Sequence, residues 1–225
     1  SRYDFFISPS RFASRKFTSA FGLNELDKKN SIIETGYPRN DKLLTASAGD
    51  KRAFLKKYNI PSGKKIILYA PTWRDDQYER NDVLYESPVD FEYLREQLSD
   101  EYVILFRAHY FVANSFNFDA FSGFIYDVSH ADDINDLYMA ADVLVTDYSS
   151  VCFDFANLGR PIIFYMYDQE YYKKQLRGFY LPEPSLTGDI VNTEFQLAMS
   201  LKVLSSYRNQ TRPHVAQFSA QYNYR

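Results

Sequence analysis

Short, unbroken apolar runs alternate along this chain with stretches whose apolar positions recur every three or four residues. Lys65–Ala70 (KIILYA), Tyr102–Phe106 (YVILF), Val143–Thr146 (VLVT) and Ile162–Tyr165 (IIFY) are apolar without alternation. That is the pattern of strands buried on both faces. Phe124–Tyr126, Asp4–Ser8 and Ile32–Ile33 read as shorter strands. Between these runs, Phe12, Ala13, Phe17, Ala20 and Phe21 predict a helix over 12–21, closed by Gly22. Ala53, Phe54 and Lys57 support a helix over 50–58, and Phe91, Leu94 and Leu98 one over 91–98. Ile134, Leu137, Tyr138 and Ala141 fall at i, i+3, i+4 and i+7, behind a cap at Asp132 or Asp133. Val151, Phe155 and Leu158 mark one more helix face, ended by Gly159. Glu194–Ser205 is expected to be the last helix, with a polar, frayed tail from Arg208. Asn40 to Gly49 reads as a linker or hinge. Strands alternating with helices predict an α/β fold whose parallel sheet is covered on both faces.

The polar side chains fall in an informative place. Thr72, Arg74 and Asp75 follow one expected strand, Arg107 and His109 the next, and Asp127 the third. Thr146, Asp147, Ser149 and Ser150 follow the fourth, and Asp168 the last. All lie beyond carboxyl ends of strands, where open α/β sheets bind ligands. A strand that ends in hydroxyl residues and turns at once into a helix presents backbone N–H groups, Ser side chains and the positive helix end together. An anion, most often a phosphate, suits that mouth. Ser149 or Ser150 can equally be a plain helix cap. Taken together, the two Arg, the His and the hydroxyl-rich turn favour an anionic ligand.

Composition removes several classes. Lys plus Arg number 26 against 29 Asp plus Glu, so nothing points to nucleic acid. The single cysteine, Cys152, excludes an internal disulfide and a thiolate metal cage, and suits a reducing compartment. No apolar run approaches the roughly 18 residues of a membrane-spanning helix. No metal-ligand spacing and no GxxxxGK[ST] loop occurs, which argues against an ATPase. A diphosphate would then be held by hydroxyls, Arg and backbone, with no certain cofactor and Mg²⁺ optional. The 20 Tyr and 19 Phe suit rings buried with a wet edge, or a surface that faces a partner. The chain opens at Ser1 and runs straight into a strand-like segment, as expected for a piece of a longer polypeptide.

The runs YAPTWRDD (69–76), FRAH (106–109), DINDLYMAADVLVTDYSSVCFDFANLGRPIIFY (133–165) and RGFY (177–180) carry a resemblance over nearly the whole chain. It is to the CDP-glycerol glycerophosphotransferase family, the teichoic acid primases and polymerases of Gram-positive bacteria. The resemblance implies a GT-B type glycosyltransferase built of two Rossmann-like domains, of which this chain is the C-terminal half. Residues 1–45 would be the remnant of the acceptor domain and its linker, 46–190 the CDP-glycerol (nucleotide donor) binding domain, and 191–225 a C-terminal helix and tail. The family's WHGTPLK-like motif, whose His is the usual general-base candidate, is absent from this sequence.

The implied reaction moves glycerol phosphate from CDP-glycerol to a hydroxyl of a growing teichoic acid chain and releases CMP. This chain would supply donor binding. Its partners would be CDP-glycerol, a polyglycerol-phosphate acceptor on a lipid carrier, and the missing N-terminal domain. The place of action would be the cytoplasm, peripheral at the inner face of the plasma membrane. The alternatives are a GT-B transferase or epimerase using another nucleotide donor (CDP-ribitol or a UDP-sugar), and a non-catalytic nucleotide-binding or interaction module.

Phosphoryl transfer spreads charge over phosphoryl oxygens, so positioning and electrostatics carry the catalysis. Ser149 and Ser150 are candidates for the diphosphate and Arg74 and Arg107 for bidentate phosphate contacts, with Arg177 a weaker one. Arg107 can alternatively pair with Asp127. His109 is the catalytic candidate, stabilising leaving-group charge when protonated. Asp154 can reach ribose hydroxyls or simply favour the helix dipole, and Asp147 can orient the loop. His130 and His214 read as surface residues, and Cys152 as part of a helix–sheet interface.

Overall fold

The computed structural model describes residues 4–24, 31–72, 74, 87–107, 116–176, 178, 181 and 185–223, with the backbone alone at 205–212. The α/β alternation is present. β1 (Phe6–Ser8) pairs in parallel with β2 (Ile32–Glu34), and α1 (Arg11–Ala20) lies between them in sequence. Ser10 caps α1 by accepting the Ala13 N–H at 3.3 Å. A 3₁₀ turn over Pro38–Asn40 then leads into α2 (Asp41–Leu44) and α3 (Ala48–Lys57).

The stretch expected as a linker over 40–49 is therefore mostly helical. Its start signal is a capping box. The Ser47 N–H reaches Asp50 Oδ2 at 2.8 Å, and the Asp50 N–H reaches Ser47 Oγ at 3.3 Å. Lys42 of α2 is bound by Asp133 and Asp136 at 2.9 and 2.5 Å, which fixes the segment against the larger body.

That body is a six-stranded sheet. Its strands are β3 (Lys65–Tyr69), β4 (Tyr102–Phe106), β5 (Ile125–Asp127), β6 (Val143–Thr146), β7 (Ile162–Tyr165) and β8 (Asp189–Val191). They lie in the order β5-β4-β3-β6-β7-β8, every pair parallel. The chain builds outward from β3 in one direction, returns to the centre, and builds outward in the other. The reversal falls between β3 and β6, paired through Ile67↔Val143 to Tyr69↔Val145. This is the doubly wound, Rossmann-like arrangement, with its crevice at the reversal.

Alternate side chains of each strand enter two cores. Ile66, Leu68, Val103, Leu105, Leu144 and Ile162 face one side. There they meet α3, α5 (Ile134–Ala140) and α6 (Val151–Phe155). Ile67, Tyr69, Ile104, Phe106, Val143 and Val145 face the other, against α4 (Phe91–Leu98) and the first half of the last helix. Gly159, at φ +62°, ends the α6 segment in the left-handed conformation its position predicts.

Four features depart from the expectation. β5 begins one residue late, so Asp127 closes the strand instead of following it. β8 and a short helix α7 (Gln169–Tyr171) carry no apolar run and were not foreseen. β8 docks because Gly188 precedes it: a Cβ there would lie 2.0 Å from the Ile162 carbonyl oxygen. β8 spans residue 190, where the donor-binding segment is expected to end.

The last correction concerns the tail. α8 runs from Glu194 to Tyr222, through Pro213, where a frayed tail from Arg208 was expected. Its final turns are held by packing. Val215, Phe218 and Tyr222 are buried on one stripe. Phe218 stacks on Phe153 at 5.4 Å, and Tyr222 meets Phe12 of α1 edge-on at 5.2 Å. Among the described residues, no helix is long and apolar enough to cross a membrane.

Candidate functional site

The reversal brings the segments after β3 and β6 side by side. Thr146 Oγ1 donates to the Ala70 carbonyl at 2.7 Å. Asp147 Oδ1 accepts the Thr72 N–H at 2.8 Å, the Thr72 hydroxyl at 2.6 Å and the Tyr148 N–H at 2.6 Å. The two strand tips are thereby welded, and the Tyr148–Ser149–Ser150 turn projects from the weld into α6.

Arg74 extends the network to a third strand tip. Its Nε and Nη2 donate to Asp168 Oδ2 and Oδ1 at 2.8 and 3.1 Å. Nη2 also donates to Asp147 Oδ2 at 2.9 Å, and Nη1 to the Thr72 carbonyl at 2.7 Å. Arg74 is 5% exposed and Asp147 3%. The rings of Tyr148, Tyr172 and Tyr167 stand 5.1, 5.2 and 5.6 Å from the guanidinium. Burial opposes the Arg74 charge, but the bond to Asp168 and the charge of Asp147 outweigh it and hold its pKa above the ordinary arginine value. Burial, helped by Asp168 and Asp147 and opposed by Arg74, pushes the Tyr167 hydroxyl up to about 12.

The hydroxyl turn itself is open. Ser150 occupies the cap position of α6 but its side chain makes no capping hydrogen bond, and it is exposed. Ser149 Oγ accepts the Val151 N–H only at the 3.5 Å limit. The capping alternative is thus weak for both, and Ser150 lines a cleft of about 470 Å³. Phe12, Phe17, Arg39, Ser150, Asp154 and Tyr222 line it, between α1 and the start of α6.

The other expected site residues divide. Arg107 donates from Nη1 to the carbonyls of Val128, Ser129 and Ala131 at 2.8–3.0 Å. It fastens the loop after β5, and Asp127 Oδ1 accepts the Ser129 N–H at 2.9 Å. Asp154 receives the Asn40 amide at 2.6 Å and Arg39 Nη2 at 3.2 Å, so it joins α6 to the segment after β2. His109, Arg177 and Asp75 lie outside the described residues. Thr72, Arg74, Thr146, Asp147, Ser149 and Ser150 are brought together. Arg107, Asp127 and Asp154 serve neighbouring loops. Of the residues with no role assigned from sequence, Asp168 was marked by its place after a strand. Arg39 carried no such signal, because its partner lies 115 positions away.

The fold and the crevice define a doubly wound, Rossmann-like α/β unit. The whole chain, residues 1–225, belongs to the family described as CDP-glycerol:poly(glycerophosphate) glycerophosphotransferase. It is 44% identical over 209 residues to a teichoic acid poly(glycerol phosphate) polymerase of Bacillus subtilis (strain 168), covering 92% of this chain and 27% of that protein. It is 43% identical over 213 residues to a teichoic acid glycerol-phosphate transferase of Staphylococcus aureus (strain NCTC 8325 / PS 47), covering 93% of this chain and 53% of that one. A variant of the wall teichoic acid polymerase TagF, soaked with CDPG, superposes with a TM-score of 0.90 at 39% identity, over 99% of this chain and 54% of that structure. The chain thus spans about half or less of the length of these relatives.

Proposed function

We propose that this chain is the donor-binding half of a glycerophosphotransferase that uses CDP-glycerol. The observation that carries the reading is the Asp147–Thr72 weld, which aims two weakly engaged serine hydroxyls and the amides around them out of the reversal point of a parallel sheet. Ser149 and Ser150 would hold the diphosphate. The acceptor hydroxyl oxygen would bond to the β-phosphorus while the bond from that phosphorus to the bridging oxygen breaks. CMP would leave with the electron pair, and the hydroxyl proton would pass to a base. His109, two residues past Arg107, is the candidate that stabilises leaving-group charge when protonated.

The acceptor in this proposal is a polyglycerol phosphate on a lipid carrier, met at the inner face of the plasma membrane. The greater length of the relatives supports an acceptor-side domain in sequence outside this chain. Calorimetric titration with CDP-glycerol, CDP-ribitol and UDP tests the donor. Preference for CDP-glycerol, lost in Ser149→Ala/Ser150→Ala, is expected, and a preference for UDP would refute the reading.

A further inference from the structure

We infer that Arg74 is a positioning residue for the donor's diphosphate. It is held away from the ligand and, through Asp147 and Asp168, sets the pose of the Tyr148–Ser149–Ser150 turn. The inference rests on the proposed function for the ligand, and on the buried network for the geometry.

The sequence placed Arg74 as a direct phosphate clamp. The structure gives its fork to two carboxylates and a backbone carbonyl in four hydrogen bonds, within a ring of three tyrosines. A buried ion pair of this kind gains little stability over apolar packing, because desolvation offsets most of the attraction. What it supplies here is geometry. Both carboxylates that Arg74 orients act on the same residue. Asp147 Oδ1 takes the Tyr148 N–H at 2.6 Å, and Asp168 Oδ1 takes the Tyr148 hydroxyl at 2.9 Å. Tyr148 is pinned at its backbone and at its far tip, and its ring lies flat on Tyr172 at 3.7 Å. Ser149 follows directly, so the position of the hydroxyl pair is inherited from a residue that Arg74 holds at both ends.

The fork matters here as well as the charge. A lysine keeps the cation but cannot bridge Asp168 and Asp147 with parallel N–H groups. In the intact protein, Arg74→Lys is expected to lower CDP-glycerol affinity by about ten- to a hundredfold, the size of a lost charged hydrogen bond. Amide hydrogen exchange at 148–150 should quicken in the same variant. Adding Ser149→Ala/Ser150→Ala to Arg74→Lys should cost little more, because both changes remove one interaction.

Asp168→Asn, which leaves the Arg74–Asp147 pair in place, should quicken the same amides and guards against a variant that fails to fold. Unchanged exchange at 148–150 in both variants would overturn the inference. So would losses that multiply with the serine changes, since Arg74 would then touch phosphate itself. If the unaltered protein binds no CDP-glycerol, the proposed function falls and takes the diphosphate role with it. Exchange that still responds to Arg74→Lys identifies that failure as one of ligand, not of loop control.

Discussion

Asp147 Oδ1 accepts both the backbone N–H and the hydroxyl of Thr72, at 2.8 and 2.6 Å, across 75 positions of sequence. One carboxylate oxygen thus joins the tips of the two central strands. Its second oxygen is taken by Arg74, and the two sets of bonds differ in what their loss exposes. Thr72→Val removes one hydroxyl and is expected to cost about 1–2 kcal/mol in urea denaturation. Asp147→Asn leaves the buried Arg74 with one carboxylate and should cost about 3–5 kcal/mol. Equal losses would show that the guanidinium relaxes onto Asp168 alone.

Asp154 holds two partners of different worth. Arg39 is half exposed, so Arg39→Ala should cost under about 1 kcal/mol and lose even that effect at high salt. Asp154→Ala also strands the Asn40 amide, at 2.6 Å, and should cost about 1–3 kcal/mol in low and high salt alike. Denaturation curves of the two variants at two ionic strengths decide this.

The aromatic seam between α8, α6 and α1 predicts that the final turns of α8 stabilise the whole chain. Phe218→Ala or Tyr222→Ala should each cost about 3–5 kcal/mol, as for large buried rings elsewhere. A loss below about 1 kcal/mol in thermal or chemical unfolding would return this segment to the frayed tail expected from its polarity.

Lys42 gives a pH signature. Its bonds to Asp136 and Asp133 raise its pKa from 10.5 to about 12, so this contribution is whole below 10.5 and is lost as pH rises through about 12. Asp133 is shifted the other way, chiefly by Lys42, so its contribution is present above 3.8 and is lost as pH falls through its lowered value. The stability difference between the wild type and Lys42→Met should be flat between those limits and shrink beyond each. Both groups are largely exposed, so added salt should reduce it throughout.

The strands of the main sheet were legible because β3, β4, β6 and β7 are buried on both faces and must be apolar throughout. β8 was hidden because an edge strand of three residues carries no such run, and its docking depends on the missing side chain of Gly188. The end of α8 was hidden for a related reason: its three buried apolar residues, Val215, Phe218 and Tyr222, are diluted among polar ones. At the site, residue types at strand tips located Thr72, Arg74, Asp147, Ser149 and Ser150. The division of labour among them was not legible. An arginine that grips phosphate and one that grips two aspartates read the same until partners far away in sequence are placed beside it.

Tyr222 closing on Phe12 also bears on how the molecule is made. Phe12 is synthesised well before its ring partner Tyr222, so α1 is made long before the ring that covers it. Until α8 docks, Phe12 lacks its edge-on contact with Tyr222 and Phe153 its stack on Phe218. Docking of α8, rather than collapse of the sheet, is then the step at which the newborn chain stops offering this seam to chaperones and proteases.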